Sequence, residues 1–222
     1  MKKKILITGS NSKFCKQLKE KLYGKHIFYT SKKDLNILNI NSIESKVKKI
    51  KPKIIIHIAG LSRPMAKHDK NISESIDKNI IGTCNIVKIS EKYNIKLIYF
   101  STGYVYEGKK GNYSENDPVK PFNNYGLSKL GGECAVAMYK NSLILRITMT
   151  EKPFLHKKAY SNLKSNFMFH EELVKILPKV INQKGNLFKD FCQNHRKGSV
   201  FLLYQPRLRV ILAEKKALDG AR

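Results

Sequence analysis

The chain is short of acids, of arginine, and of glycine where a nucleotide-binding loop would carry it. Only 17 of its 222 residues are aspartate or glutamate against 43 lysines and arginines, a formal charge of +26. Six of the basic residues are arginine, and the lysines are scattered over every segment. Such a charge attracts polyanions, but the even spread and the lack of a recognised motif argue against a specific nucleic-acid partner. The four cysteines, Cys15, Cys84, Cys134 and Cys192, form no C-x-x-C pair, so neither a zinc site nor a disulfide framework is suggested. A reducing, cytoplasmic setting fits. No apolar run approaches the roughly 18 residues of a membrane span, and Ile5-Leu6-Ile7 is too short for a signal peptide. The expectation is a soluble protein with no membrane partner and no resident metal.

What is present reads as alternating strands and helices. Apolar runs lie at "KILIT" near 3–8, "HIFYT" at 26–30, "KIIIHIA" at 53–59, "KLIYFS" at 96–101 and "SLILRI" at 142–147. Helix-like stretches fall between them, near 12–23, 41–50, 73–93 and 124–140. Continuous apolar strands separated by helices predict an α/β fold, a doubly wound parallel sheet covered on both faces. Right-handed crossovers then bring the strands' C-terminal ends to one edge, where chemistry is expected.

Two stretches supply reactive groups for that edge. "FSTGYVYEG" ends a strand in a hydroxyl, Thr102, and "NNYGLSKLGGE" carries Tyr125 and Lys129 four residues apart. On a helix that spacing puts both on one face, where an ammonium favours ionisation of a phenol used as a general acid. A Tyr and a Lys so spaced are, taken alone, more often a surface pair. Following a strand-terminal Ser-Thr and opening a helix, they read as catalytic. His57, inside an apolar run, reads as a core histidine. His170 with Glu171 and Glu172 suits the positive end of a helix better than a metal.

In order along the chain, "ILITGSNS", "DLNILN", "KPKIIIHIAG", "NIIGTCNIV", "STGYVYEG", "YGLSK" with Gly132-Glu133, and "LILR" resemble the extended short-chain dehydrogenase/reductase family, within it the dTDP-4-dehydrorhamnose reductase-like sugar-nucleotide-binding proteins. The likeness covers about residues 4–150. It implies a Rossmann dinucleotide-binding domain over 1–150, a remnant of a truncated C-terminal substrate-binding lobe over 151–185 and a divergent tail over 186–222. Thr102, Tyr125 and Lys129 would be the catalytic group, with Tyr125 and Lys129 also binding the cofactor, the lysine at the nicotinamide ribose. Gly9, Asn11, Ser12, Lys13 and Phe14 would form the loop under the diphosphate. Asn36 and Ile37 would lie near the adenine, Ala59, Gly60 and Leu61 would line the cofactor, and Asn79 would support the site. Arg63 and Tyr104 would face the substrate. The implied activity is NAD(P)-dependent reduction of a 4-keto nucleotide-sugar, in a possible homodimer. An epimerase or dehydratase on the same scaffold, and a non-catalytic dinucleotide-binding regulatory module, remain as alternatives.

Departures from the family pattern shape these expectations. Where the family's loop carries three glycines this chain has Gly9, then Ser12 and Cys15. Cys15 is small enough to pack. Ser12 adds bulk beside the phosphates, and a left-handed backbone there would cost about 1–2 kcal/mol. "TSKKD" after the second strand has no acid at the strand tip, so Ser31, Lys32 and Lys33 favour NADP over NAD. Gly103 stands where the family has an aspartate.

Overall fold

The computed structural model describes residues 2–109, 113–152 and 168–182. The tail over 186–222 and most of the proposed lobe remnant lie outside these residues. Five parallel strands, β1 (Ile5–Thr8), β2 (Ile27–Thr30), β3 (Ile54–His57), β4 (Lys96–Ser101) and β5 (Ser142–Arg146), form one sheet in the order β2-β1-β3-β4-β5. The doubly wound sheet inferred from the apolar runs is therefore present, and its switch point lies between β1 and β3.

Alternation along each strand divides the core. Ile5, Ile7, Ile54, Ile56, Ile98, Phe100, Leu143 and Leu145 face one side, with Phe14, Cys15 and Leu18 of α1 (Lys13–Lys21). Leu173, Val174, Leu177 and Val180 of α7 (His170–Asn182) pack into that same cluster. Leu6, Ile55, Leu97 and Tyr99 face the other side, against α2 (Ile40–Ile50), α5 (Gly82–Lys92) and α6 (Asn124–Ala137). Strands buried on both faces need no polar alternation, which is why they read as unbroken apolar runs.

Helix starts follow local chemistry. Ser12, Asn39 and Asn123 are the N-caps of α1, α2 and α6, their side chains accepting from the amides of Cys15, Ser42 and Gly126. The region expected as one helix over 73–93 differs. It is α4 (Ile72–Ser75), a π-helical segment Ile76–Ile81 and then α5, preceded by a short α3 (Ala66–Lys70). The wide turn carries Asn79 inward, and single π turns often mark functional sites. Two short strands, β6 (Met149–Thr150) and β7 (Met168–Phe169), pair in parallel ahead of α7. Glu172 accepts from the Phe169 amide at 2.9 Å, a capping role for the acid beside His170. Among the described residues no helix is long and apolar enough to cross a membrane.

Candidate active site

The crevice lies at the C-terminal ends of β1, β3, β4 and β5. Gly9 follows β1 with φ +78°, and a Cβ there would stand 2.8 Å from the Ala59 amide nitrogen. Glycine is required twice over, for the backbone angle and for the close pass of the β3 loop. Ser12 corrects the expectation of strain: its φ is −65°, an ordinary extended N-cap, and its side chain is exposed. Its hydroxyl accepts from Cys15 N at 3.2 Å, while the amides of Lys13 and Phe14, in the first turn, have no acceptor within their helix. Cys15 is fully buried, so the loss of the third glycine costs no packing. A glycine turn and free helix-start amides fit a dinucleotide phosphate.

A buried polar ladder holds the β3 loop. The amides of Ile58 and Ala59 donate to Thr8 Oγ1 at 3.2 and 3.1 Å, and Thr8 Oγ1 lies 2.8 Å from His57 Nδ1. Thr83 Oγ1 donates to the Asn79 carbonyl at 2.8 Å and lies 3.2 Å from His57 Nε2. Because Thr83's one proton is committed, Nε2 carries the imidazole proton and Nδ1 accepts from Thr8. His57 is wholly buried, and burial followed by the nearby Lys129 pushes it down to about 3. It is a neutral structural hinge pin, as a core histidine should be. Asn79 Oδ1 accepts from Leu61 N at 2.7 Å, and its Nδ2 donates to Leu61 O at 2.9 Å and Ser128 Oγ at 2.8 Å. Ser128 in turn donates to Tyr125 O at 2.8 Å, joining the loop to α6. Gly60 is kept free of a side chain by Asn79 Oδ1, 2.7 Å from where its Cβ would be.

Thr102 and Tyr125 meet. Thr102 is buried at the end of β4 and accepts from Tyr104 N at 3.3 Å, with the Tyr125 phenol close enough to feel its hydroxyl. Burial raises Tyr125, opposed by the Thr102 hydroxyl and the Arg63 guanidinium. The Tyr125 ring packs against Tyr104 at 5.8 Å, edge to face, and against His68 at 5.1 Å. Lys129, one turn along α6, is 6% exposed, and burial pulls it down to about 7 despite Glu133. Its ammonium lies 4.2 Å over the Tyr99 ring. The cation that bears on the Tyr125 phenol here is Arg63, while the Lys129 ammonium is seated over Tyr99.

Arg63 and Lys13 reach across the crevice to Glu151, with contacts of 3.0 and 2.7 Å. Burial opposes the Glu151 charge, but Lys13 and then Arg63 overcome it and hold the carboxyl at about 2. Asn11 and Lys13 are exposed at the rim, whereas Phe14 is buried edge-on to His170. Asn36 Oδ1 accepts from Leu38 N at 3.1 Å, and Ile37 packs where Gly82 leaves room. Gly103 also has a spatial reason: a Cβ there would stand 2.6 Å from Thr148 Oγ1. At the β2 tip the apparent lack of an acid does not survive folding. Asp34 Oδ2 accepts from Ser31 N at 2.9 Å and Ser31 Oγ at 2.7 Å, so a carboxylate stands there beside Lys32 and Lys33.

Several participants were given no role by the sequence. Glu133 accepts from Ser101 Oγ at 2.6 Å and from Arg146 Nε at 2.9 Å, and Arg146 Nη1 donates to Tyr106 at 2.6 Å, a buried network beneath Thr102. His68, Thr8 and Thr83 likewise emerge only from the packing. Their signal was faint: polar residues at apolar-face positions of elements already assigned.

A parallel sheet with a Tyr-x-x-x-Lys helix against its open edge is the extended short-chain dehydrogenase/reductase class. Within it, residues 2–167 match the RmlD substrate binding domain family, and the chain belongs to that family. The chain is 32% identical over 114 residues to methionine adenosyltransferase 2 subunit beta of Xenopus laevis, covering 51% of this chain and 34% of that protein. It is 28% identical over 152 residues to the dTDP-4-dehydrorhamnose reductase of Aggregatibacter actinomycetemcomitans, covering 66% and 51%. The chain thus spans about a third to a half of these relatives' length. The structure of dTDP-4-dehydrorhamnose reductase from Bacillus anthracis, solved with NADP, superposes with a TM-score of 0.75 at 28% identity, over 82% of this chain and 72% of that one.

Proposed function

We propose that the chain is an NADP-dependent reductase of a 4-keto nucleotide-sugar, able also to take NAD. The observation that carries this reading is Thr102, buried at the end of β4, beside the first turn of α6 that presents Tyr125, with Lys129 buried one turn further on. Gly9 and the open amides of Lys13 and Phe14 would hold the diphosphate. Ala59, Gly60 and Leu61, fixed by Thr8 and Asn79, would line the nicotinamide side. A bound reduced nicotinamide supplies the hydride. Thr102 holds the substrate carbonyl oxygen, Tyr125 gives it a proton, and Lys129 in its charged form favours that transfer. Arg63, held in the crevice by Glu151, and Tyr104, packed on the Tyr125 ring, would face the sugar nucleotide.

The likeness to a protein named as an adenosyltransferase subunit supports a second reading, a dinucleotide-binding module of a larger assembly. Titration with NADPH and NADH, followed by a panel of keto nucleotide-sugars, separates the two. Saturable binding with turnover supports the reductase, and binding without turnover on any sugar supports the module. Self-association has its own support in the exposed Ile81, Leu127 and Met138, at 44%, 53% and 86% exposure. Light scattering giving twice the 25.5 kDa chain mass would bear out a homodimer, and the single mass would exclude it.

A further inference from the structure

Lys129 is held at both ends by one side chain that touches neither rim nor loop. Tyr99, in β4, is fully buried, and its ring centroid lies 4.2 Å from the Lys129 Nζ. Its hydroxyl donates to the Lys129 carbonyl at 3.2 Å. Helix α6 comes this close because Gly132 lacks a side chain: a Cβ there would stand 2.7 Å from the Tyr99 hydroxyl and collide with the Asn79 carbonyl. His57, directly across the sheet register, stacks on Tyr99 at 5.8 Å and ties the ring to the Thr8 ladder.

We infer that Tyr99 is a positioning residue for Lys129: its ring face seats the ammonium, keeps it charged in a dry pocket and so sets the pH range over which Lys129 serves Tyr125. The last clause rests on the reductase reading; the seat itself does not. An aromatic face attracts a cation through its quadrupole, more strongly when water is excluded. The other groups around Lys129 leave this role open. Glu133, one turn on, favours the charge, but Arg146 and Ser101 already engage its carboxylate. His57 is neutral, and Tyr99 and Tyr125 are phenols raised by burial. Asp69 of α3 is held by Asn124, and Glu74 of α4 by Lys67 and Lys78.

The test is an NMR titration of the Lys129 side chain in ε-13C-lysine-labelled full-length protein, its resonance assigned by loss in Lys129→Met. Tyr99→Phe keeps the ring and should keep the wild-type midpoint. Pentafluorophenylalanine at the same position, near the original shape with its quadrupole reversed, should lower the midpoint by about one pH unit, tenfold in proton affinity. Tyr99→Leu should move it the same way, each variant being checked for a cooperative melt. An unchanged midpoint in the folded fluorinated variant overturns the seat. Because no substrate is used, a wild type without turnover would sink the reductase reading and leave this result standing. With turnover present, the alkaline limb of kcat/KM should fall by the same interval, and a limb that stays put overturns the positioning role.

Discussion

At the scale of single residues, Lys129 and Asp34 carry the sharpest consequences. The proposed reaction needs Lys129 charged, and burial has brought it to about 7. Hence kcat/KM, which reports the free enzyme, should decline as pH rises through about 7. An initial-rate profile checks this, and a flat profile from 6 to 9 would count against a charged Lys129. The same burial affects stability. Unfolded, the lysine keeps its ordinary value near 10.5, so between there and about 7 the unfolded chain binds more protons and stability rises with pH. Lys129→Met removes that penalty and should raise stability at pH 7 by about 1–3 kcal/mol in a urea titration while abolishing turnover. Asp34, folded back onto Ser31, is a carboxylate where a 2′-phosphate would arrive. Asp34→Asn should therefore tighten NADPH more than NADH, about fivefold to tenfold by calorimetry, with Lys32 and Lys33 left unopposed.

At the scale of elements, the π segment and the ladder through His57 decide how the crevice is held. His57 joins β1, β3 and α5 only while neutral. Its value is about 3 folded against an ordinary 6.5, so the unfolded state takes up the proton first on acidification. Stability should fall steadily from pH 6.5 toward pH 3 by ~4 kcal/mol from this residue. His57→Asn should flatten that decline, and chemical denaturation at pH 7 and pH 4 measures it. The strands and α6 were legible in the sequence because apolar runs and a cap such as Asn123 are local signals. The interruption at Ile76–Ile81 was not, since the reason for it is Asn79 reaching Leu61 and Ser128, partners far away in the chain. Asp34 was hidden for the opposite reason: a turn of three residues moves a carboxylate to a strand tip that the linear order leaves empty.

At the scale of the whole molecule, one sheet carries both cores, and residues 168–182 close the face that α1 leaves open. The sequence pattern revealed the fold, with Thr102 at the end of β4 and Tyr125 and Lys129 one turn apart on α6. It could not reveal the Glu133–Arg146 network or the Lys13–Glu151–Arg63 bridge, whose members become neighbours only once β4, β5 and the loops are assembled. The surplus of lysine is a property of the entire surface. A formal charge of +26 should draw in an anionic cofactor, so NADPH association should slow severalfold between about 20 and 300 mM salt in a stopped-flow experiment.

The proposed reaction brings a reduced nicotinamide and a sugar carbonyl together under the Tyr125 phenol, in the crevice at the ends of β1, β3, β4 and β5. Isotope transfer tests it most directly: NADPH deuterated at the nicotinamide C4, a 4-keto nucleotide-sugar and the full-length protein, with the product analysed by mass spectrometry and NMR. The expected product carries deuterium on the former carbonyl carbon and is formed at least about a hundredfold more slowly by Tyr125→Phe. Product without deuterium, or equal rates from wild type and Tyr125→Phe, would contradict it.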